Sequence, residues 1–143
     1  MGHFTTRRRV EFADTDLAGI CHFARFFVFF ETAEHELLRS LGLGAWKREG
    51  ERILGWPRAE ASCRYLAPAF FGDELEIRLA VERIGRRSVT FEGTCWRGET
   101  RVAVGRWTTA CCWIEDPSKL EPTTIPEEVE SGLAAYLSAA PRR

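Results

Sequence analysis

The chain has 143 residues, of which 29% are charged, and its formal net charge is −1. This length fits one domain that buries enough apolar surface for a core without disulfide bonds or a structural metal, so we expect a single domain over residues 1–143. The balanced charge argues against a disordered chain and against a nucleic-acid-binding tail, and no nucleic-acid partner is predicted.

The cysteine pattern and the hydropathy bear on the cellular compartment. Five cysteines form an odd set without a CxxC pair, and no N-terminal apolar segment resembles a secretory signal. We therefore expect a reduced, cytoplasmic protein. The longest apolar runs are shorter than the roughly 20 residues of a membrane span, so no span is predicted.

The first predicted element is a strand over residues 5–12, followed by a polar loop. The alternation of the strand places on one face Thr6, Arg8, Val10 and Phe12. In the loop two carboxylates, Asp14 and Asp16, precede Gly19, which brings them close to free backbone N–H groups at the positive end of a helix dipole. This combination suits chemistry at a carbonyl group.

A long helix follows the loop and ends at Gly42, a typical C-terminal cap. Its apolar residues recur every three or four positions and form one stripe: Phe23, Phe26, Phe27, Phe30, Ala33, Leu37, Leu38 and Leu41. Glu34 falls inside this stripe, where a carboxylate is costly unless it is paired or hydrogen-bonded. We therefore expect Glu34 to make a buried structural hydrogen bond.

The rest of the chain is predicted to be mainly strands. Residues 43–52 form a loop or a short irregular helix, in which Trp46 either covers the core or acts as a lid. Alternation and turn residues predict strands over 58–66, 75–81, 88–96 and 101–114, the last three paired as a meander. Residues 117–122 are predicted to be a linker to a C-terminal extension of about 117–143. A short helix begins there near Pro126, with one apolar side made of Val129, Leu133, Tyr136 and Leu137.

These elements predict an α+β fold in which a curved, mainly antiparallel sheet wraps around one long apolar helix. A sheet of about five strands leaves edges, and edge pairing in a symmetric assembly would also cover exposed aromatic side chains. We therefore expect a homo-oligomer, either a dimer or a tetramer.

The segment EFADTDLAGICHF, residues 11–23, closely resembles the active-site loop of the 4-hydroxybenzoyl-CoA thioesterase family. That family has the pattern aromatic-x-D-x-D-x-x-G-[IV]-[VC], followed by aromatic residues, and a hotdog fold. The resemblance extends over about residues 8–116. It includes a Gly-Leu after the helix and three later matches: Ser62-Cys63, Asp73-Glu74 and Arg86-Arg87-Ser88.

The resemblance implies a role for several residues of this chain. Asp16 corresponds to the catalytic carboxylate, and the backbone N–H of Phe23 corresponds to the group that polarises the thioester carbonyl. Gly19 leaves the loop open to the thioester. The residues implied in substrate binding are His22, Glu31 and the coenzyme A contacts Arg86, Arg87 and Ser88. Some relatives have their histidine at the position of Phe23, whereas here it is one residue earlier.

The chemistry of these residues leaves alternatives open. Asp16 acts either as a nucleophile that forms a mixed anhydride or as a general base that activates water. Asp14 is the better candidate for a structural cap. Glu31 is either a substrate-orienting acid or an ion-pair partner. Glu31 and His35 are four residues apart, but two such groups do not define a coordination shell, so we predict no metal and no cofactor.

The leading hypothesis is an acyl-CoA thioesterase that releases a free acid and coenzyme A. One alternative is a non-catalytic module that binds acyl-CoA or acyl-carrier protein. Another is a hotdog hydratase or dehydratase, which usually pairs its acid with a suitably placed histidine. The apolar residues allow either an aromatic or an aliphatic acyl group, because an apolar pocket discriminates single methylenes by only about 1–3 kcal/mol.

Overall fold

The computed structural model describes residues 2–138 as two antiparallel sheets and two α-helices. The helices are α1 (Arg25–Ser40) and α2 (Glu127–Ala134), and a 3-10 turn covers Phe12–Asp14. The strands are β1 (Phe4–Arg9), β2 (Lys47–Glu49), β3 (Arg52–Gly55), β4 (Arg58–Tyr65), β5 (Glu74–Ile84), β6 (Ser88–Arg97), β7 (Thr100–Ala110), β8 (Cys112–Asp116) and β9 (Lys119–Pro122).

The larger sheet has five strands in the order β1-β5-β6-β7-β4, and every neighbouring pair is antiparallel. This confirms the predicted mainly antiparallel sheet. The helix α1 packs on the centre of this sheet, at the point where Gly93 of β6 lies directly opposite Gly105 of β7. The ring of Phe30 fills the space above these two glycines, because a Cβ atom on either would stand within 2.8 Å of it.

The helix α1 has 16 residues and buries one face against this sheet. The buried residues are Phe26, Phe29, Phe30, Ala33, Glu34, Leu37 and Leu38. Gly42 has a φ of +79°, and its N–H donates to Arg39 while the N–H of Leu43 donates to Leu38, which forms a Schellman cap. The predicted C-terminal cap is therefore confirmed.

Two predicted boundaries are wrong at the N-terminal side of α1. Phe12 lies in the 3-10 turn and is 79% exposed, because β1 ends at Arg9. Phe23 precedes the helix and is 62% exposed. Both residues lie outside the strand and the helix because the backbone of the loop forms hydrogen bonds within the loop instead of continuing the strand or the helix.

The smaller sheet, with strand order β2-β3-β8-β9, corrects three predictions. Residues 43–52 contain β2 and the start of β3 instead of a loop or helix, and the predicted linker contains β9. The predicted strand 101–114 is two strands separated at Cys111. The break occurs because Ser88, the first residue of β6, pairs with Ala110, so the chain beyond Ala110 has no partner in the larger sheet and pairs with β3 instead.

The C-terminal helix α2 begins after Pro126, as predicted, and buries Val129 and Leu133. Beyond the helix, the N–H of Val81 in β5 donates to Tyr136, and the N–H of Ser138 donates back to Val81. Met1 and residues 139–143, which belong to the predicted domain and C-terminal extension, lie outside the described residues. Neither described helix combines the length and the apolar character of a bilayer span.

Candidate active site

Asp16 lies in a compact turn that fixes its side chain. The N–H of Asp16 donates to the carbonyl of Ile20, and the N–H of Gly19 donates to the carbonyl of Asp16, both over 2.9 Å. The Oδ1 atom of Asp16 accepts the N–H of Ala18, also at 2.9 Å. Gly19 has a φ of +85°, which other residues rarely adopt, so its first role is to close this turn. No other described residue hydrogen-bonds Oδ2 of Asp16, which leaves that oxygen free for chemistry.

The backbone N–H groups next to that of Phe23 all have hydrogen-bond acceptors, whereas the N–H of Phe23 has none among the described residues. The N–H of His22 donates to the carbonyl of Asp14 over 2.8 Å. The N–H of Ala24 donates to Nδ1 of His22 over 3.1 Å, and the N–H of Arg25 donates to the carbonyl of His22 over 2.9 Å. Within the described residues the N–H of Phe23 has no acceptor. It therefore remains available at the positive end of the α1 dipole.

Asp16 and Phe23 line the same cleft, which has a volume of about 380 Å³. The cleft is bounded by Asp16, Ile20, Cys21, Phe23, Phe26, Tyr65 and residues 66–69. Its walls are mainly apolar, so a charge that develops in it is screened less than in water. A carboxylate and a free N–H at one apolar cleft define a site suited to reactions at a carbonyl.

Tyr65 is a residue of this cleft that the sequence prediction missed. Its hydroxyl donates to the carbonyl of Phe23 over 3.0 Å, and its ring packs edge-on against Phe23 and Phe26 at centroid distances of 6.3 and 5.7 Å. Burial, together with the interaction in which the phenol is the donor and Cys63 the acceptor, raises the pKa of Tyr65 to about 12. The phenol therefore stays protonated and keeps donating. A single tyrosine on an exposed strand carries no sequence signal for this contact.

Cys21 also lines the cleft but is a poor nucleophile. Its side chain is buried, and burial, aided by the nearby carboxylate of Asp14, raises the pKa of its thiol to about 11. Since the thiolate is the reactive form, almost none of it is present at neutral pH. The five cysteines of the chain all lie in the described part and are free thiols there.

His22 has a structural contact that bears on its predicted role in substrate binding. Its ring stacks on the ring of Phe23 with the centroids 4.7 Å apart. Because Nδ1 accepts the N–H of Ala24, the hydrogen-bond geometry assigns the proton of the neutral ring to Nε2. The hydrogen bond from Ala24 orients the backbone at the start of α1. It does not favour the hydratase alternative, in which the histidine itself takes part in the chemistry.

Glu31 and Glu34 bind the same arginine further along α1. Arg58 donates to Glu31 over 3.0 Å and to both carboxylate oxygens of Glu34 over 2.8 and 3.0 Å. Glu34 is 2% exposed and also accepts the indole N–H of Trp107, so the predicted buried hydrogen bond is confirmed. Glu31 and Arg58 border a second cleft of about 250 Å³. Within residues 2–138, no three His, Cys, Asp or Glu side chains are grouped as metal ligands.

Arg86, Arg87 and Ser88 lie at the opposite end of β5 from Asp16. The Asp16 loop is bound to the segment before β5, because the N–H of Cys21 donates to the carbonyl of Ala69. The two arginines follow the last residue of β5 and are exposed. A strand of 11 residues separates the two places, roughly 30 Å at 3.3 Å per residue. One chain therefore does not bring these residues together with Asp16.

Comparisons with known proteins show the family of the chain. Residues 18–104 match the thioesterase superfamily. The 1,4-dihydroxy-2-naphthoyl-CoA hydrolase of Thermosynechococcus vestitus is 29% identical, over 94% of this chain and 88% of that protein. Acyl-CoA thioesterase YbgC of Haemophilus influenzae is 28% identical, over 86% of this chain and 88% of that protein.

The crystal structure of a 1,4-dihydroxy-2-naphthoyl-CoA thioesterase from Synechocystis is similar in fold. Its TM-score is 0.79 at 22% identity, over 93% of this chain and 96% of that one. This likeness supports the hotdog fold alone. The family match over residues 18–104, which is more than half of the chain, shows that the chain belongs to the thioesterase superfamily. The predicted family and the predicted class of enzyme, a thioester hydrolase, are thereby confirmed, while the roles of individual residues stay predictions.

Proposed function

We propose that the chain hydrolyses an acyl-CoA thioester to a free acid and coenzyme A, with Asp16 and the N–H of Phe23 acting on one carbonyl. The observation that carries this proposal is the pattern of hydrogen bonds at the start of α1. His22, Ala24 and Arg25 all have acceptors for their N–H groups, while that of Phe23 has none. Phe23 borders the same cleft as the carboxylate of Asp16, of which one oxygen is free.

The reaction requires an oxygen nucleophile at the thioester carbon and a donor for the oxyanion that forms. The N–H of Phe23 serves as that donor, and one such donor typically contributes about 10²–10³ in rate. Asp16 either attacks the carbon itself, so that water hydrolyses the resulting anhydride, or takes a proton from the attacking water. In both routes the C–S bond breaks and the coenzyme A thiolate leaves and is protonated.

We infer that the complete site needs a second copy of the chain. Arg86, Arg87 and Ser88 are proposed to bind the phosphates of coenzyme A, for which arginine is well suited. Their position roughly 30 Å from the loop, beyond the far end of β5, means that a different copy would supply them. Exposed apolar side chains that are close in sequence to residues of the cleft, including Phe71 at 63% exposure and Leu17, which is fully exposed, support such an assembly. We propose a homodimer or a homotetramer.

The finer features of the fold and setting are proposed on the same basis. Residues 1–143 would form a single hotdog domain in which the larger sheet curves around α1, as the seat of Phe30 over Gly93 and Gly105 supports. The five free thiols fit a reducing, cytoplasmic setting. The acid and the amide suffice for hydrolysis without a cofactor, and Glu31 is kept as a residue that orients the acyl group when its bond to Arg58 opens.

The direct test measures thiol release from acetyl-, hexanoyl-, palmitoyl- and benzoyl-CoA by the wild type and by Asp16→Asn. We expect a fall in kcat of about 10²–10⁴ for the best substrate, with binding of acyl-CoA and the fold retained. The control is Asp116→Asn, an identical change at the exposed last residue of β8, for which the rate should stay at the wild-type value.

Other outcomes of this test would favour the alternatives. Saturable binding of the acyl-CoA panel without thiol release would favour the binding module. Loss of the conjugated absorbance of crotonyl-CoA without thiol release would favour the hydratase. Equal rates for wild type and Asp16→Asn would show that Asp16 has a structural role.

A further inference from the structure

An ion pair between a buried aspartate and a partly exposed arginine joins the two segments that carry the proposed catalytic groups. The carboxylate of Asp14 is 1% exposed, and its Oδ1 atom accepts Nε–H of Arg25 over 2.7 Å. Its Oδ2 atom accepts the N–H of Glu11 over 2.8 Å, and its carbonyl accepts the N–H of His22 over 2.8 Å. Asp14 thus binds the chain before the loop, the chain after it and the first residue of α1.

The position of Arg25 is electrostatically unfavourable unless it has this partner. Arg25 is the first residue of α1, and a cation at the positive end of a helix dipole is disfavoured. The first turn of α1 carries no acidic residue that would compensate the charge. Burying Asp14 also costs desolvation, which offsets part of what its bond to the partly exposed Arg25 contributes to stability. The pair therefore calls for an explanation other than stability.

The spacing in the sequence supplies that explanation. Asp14 precedes Asp16 by two residues, and Arg25 follows Phe23 by two residues. In the sequence, the ion pair therefore flanks the segment that carries both proposed catalytic groups. We propose that Asp14 and Arg25 are positioning residues, which hold the carboxylate of Asp16 at a fixed place relative to the N–H of Phe23. This inference rests on the proposed function, because it assigns the purpose of the pair to those two groups.

The test compares Arg25→Met, Arg25→Lys and Arg106→Met in the full chain. Arg25→Met removes the ion pair but keeps the length of the side chain, and Arg25→Lys restores a charge and one donor. Arg106 makes a bidentate pair with Glu82 on strands of the same sheet, outside the lining of the cleft, and serves as the matched control. Thiol release is measured with the best substrate of the panel above.

We expect kcat of Arg25→Met to fall at least about tenfold, with KM changed less than about threefold, since a misplacement of about 1 Å can cost about 10² in rate. Arg25→Lys should recover part of kcat, and Arg106→Met should keep the wild-type kcat. Hydrogen exchange of the peptide that spans residues 10–25 should be faster in Arg25→Met alone, and this readout does not depend on a substrate.

The outcomes separate this inference from the proposed function. If Asp16→Asn loses activity but Arg25→Met keeps both the wild-type kcat and the wild-type exchange, the positioning role is overturned and the proposed function stands. If Asp16→Asn keeps full activity, the proposed site is wrong and the positioning role is overturned with it. A loss of stability in Arg25→Met with unchanged kcat would make the pair purely structural.

Discussion

The imidazole of His22 hydrogen-bonds the backbone just before α1, at Ala24, which is the N-cap residue and has no side-chain cap of its own. Its Nδ1 atom accepts the N–H of Ala24, two residues further on. The N–H of Ala24 is therefore occupied and does not compete with the N–H of Phe23 for the substrate carbonyl. An asparagine side chain accepts the N–H two residues ahead in the same manner, whereas alanine does not.

We therefore expect His22→Ala to lower both the free energy of unfolding, by about 0.5–1.5 kcal/mol for the lost hydrogen bond, and the rate of thiol release. His22→Asn should stay closer to the wild type in both measurements. Urea unfolding and the thiol assay check this. If both variants are folded and equally inactive, His22 acts in the chemistry itself and its hydrogen bond to Ala24 does not account for its role.

A second prediction at the scale of residues concerns Cys21. Because burial raises the pKa of its thiol to about 11, iodoacetamide at pH 8 should label it slowly in the folded protein. Cys21→Ser should retain most of the thiol-release activity. Rapid labelling that abolishes activity, in the wild type but not in Cys21→Ser, would contradict this account of the cleft.

Sequence patterns could identify some residues of the site but not their supports. The loop and the helix start by themselves indicated only carboxylates close to free N–H groups. The resemblance of the loop to the thioesterase family implied Asp16 and the N–H of Phe23 as the catalytic groups, and these roles stay predictions. The contacts of Tyr65 and Arg25 were missed because they depend on tertiary neighbours 42 and 11 residues away in the chain. The one available signal for Arg25 was a cation at the wrong end of a helix.

At the scale of elements, the packing of α1 on the sheet requires that two positions, Gly93 and Gly105, have no side chain. A Cβ atom at residue 105 would lie 2.5 Å from the ring of Phe30. Gly105→Ala should therefore destabilise the protein by about 1–3 kcal/mol, the usual cost of overpacking. Adding Phe30→Leu to this variant should recover part of the loss in urea unfolding. Purely additive effects of the two changes would mean that Phe30 is not the group in conflict.

Glu34 predicts how stability depends on pH. Burial raises the pKa of its carboxyl above the ordinary value of 4.5, although Arg58 and the indole N–H of Trp107 oppose this. The folded protein therefore binds a proton there more tightly than the unfolded chain. The resulting stabilisation is complete below pH 4.5 and is lost as the pH rises through the raised pKa.

The matched comparison for this element is Glu34→Gln, which cannot titrate. The free energy of unfolding of the wild type, measured relative to Glu34→Gln, should decrease from pH 4.5 upwards. A difference that does not change with pH would show that Arg58 and Trp107 fully offset the burial of Glu34.

The long elements were predictable from sequence, and the short ones were not. Period-2 and period-3.6 patterns marked α1, β5 and β6, because each presents one face to the core. The strand β4 is exposed along nearly all of its length, and the turn residues on either side of it marked its place. The strands β2, β3 and β9 have three or four residues, and β2 and β9 are exposed along their length. Such strands carry no alternation, so the smaller sheet and the switch of the chain at Cys111 were missed.

At the scale of the whole molecule, the distance between the Asp16 loop and the β5–β6 turn leads us to predict that each site combines residues of two copies of the chain. Arg86→Ala/Arg87→Ala should raise KM for acyl-CoA without preventing folding. In a dimer whose sites each combine two copies, mixing this variant with Asp16→Asn yields one intact site in each mixed dimer. With random assembly, half of the dimers are mixed, so about a quarter of the wild-type sites return.

This complementation is measured by co-expressing the two variants and assaying thiol release at a low substrate concentration. Each variant alone serves as the baseline. Recovery to about a quarter of the wild-type activity supports a site shared between copies. A mixture no more active than the mean of its two components would place the coenzyme A contacts elsewhere.

The central claim is that Asp16 and the N–H of Phe23 act on the same thioester carbonyl. A crystal structure with an unreactive acyl-CoA analogue, in which a methylene group separates the sulfur from the carbonyl carbon, tests it most directly. We predict the carbonyl oxygen about 2.7–3.1 Å from the backbone nitrogen of Phe23, with the carboxylate of Asp16 beside the carbonyl carbon. A carbonyl bound elsewhere, with the N–H of Phe23 facing solvent or another protein group, would contradict the claim.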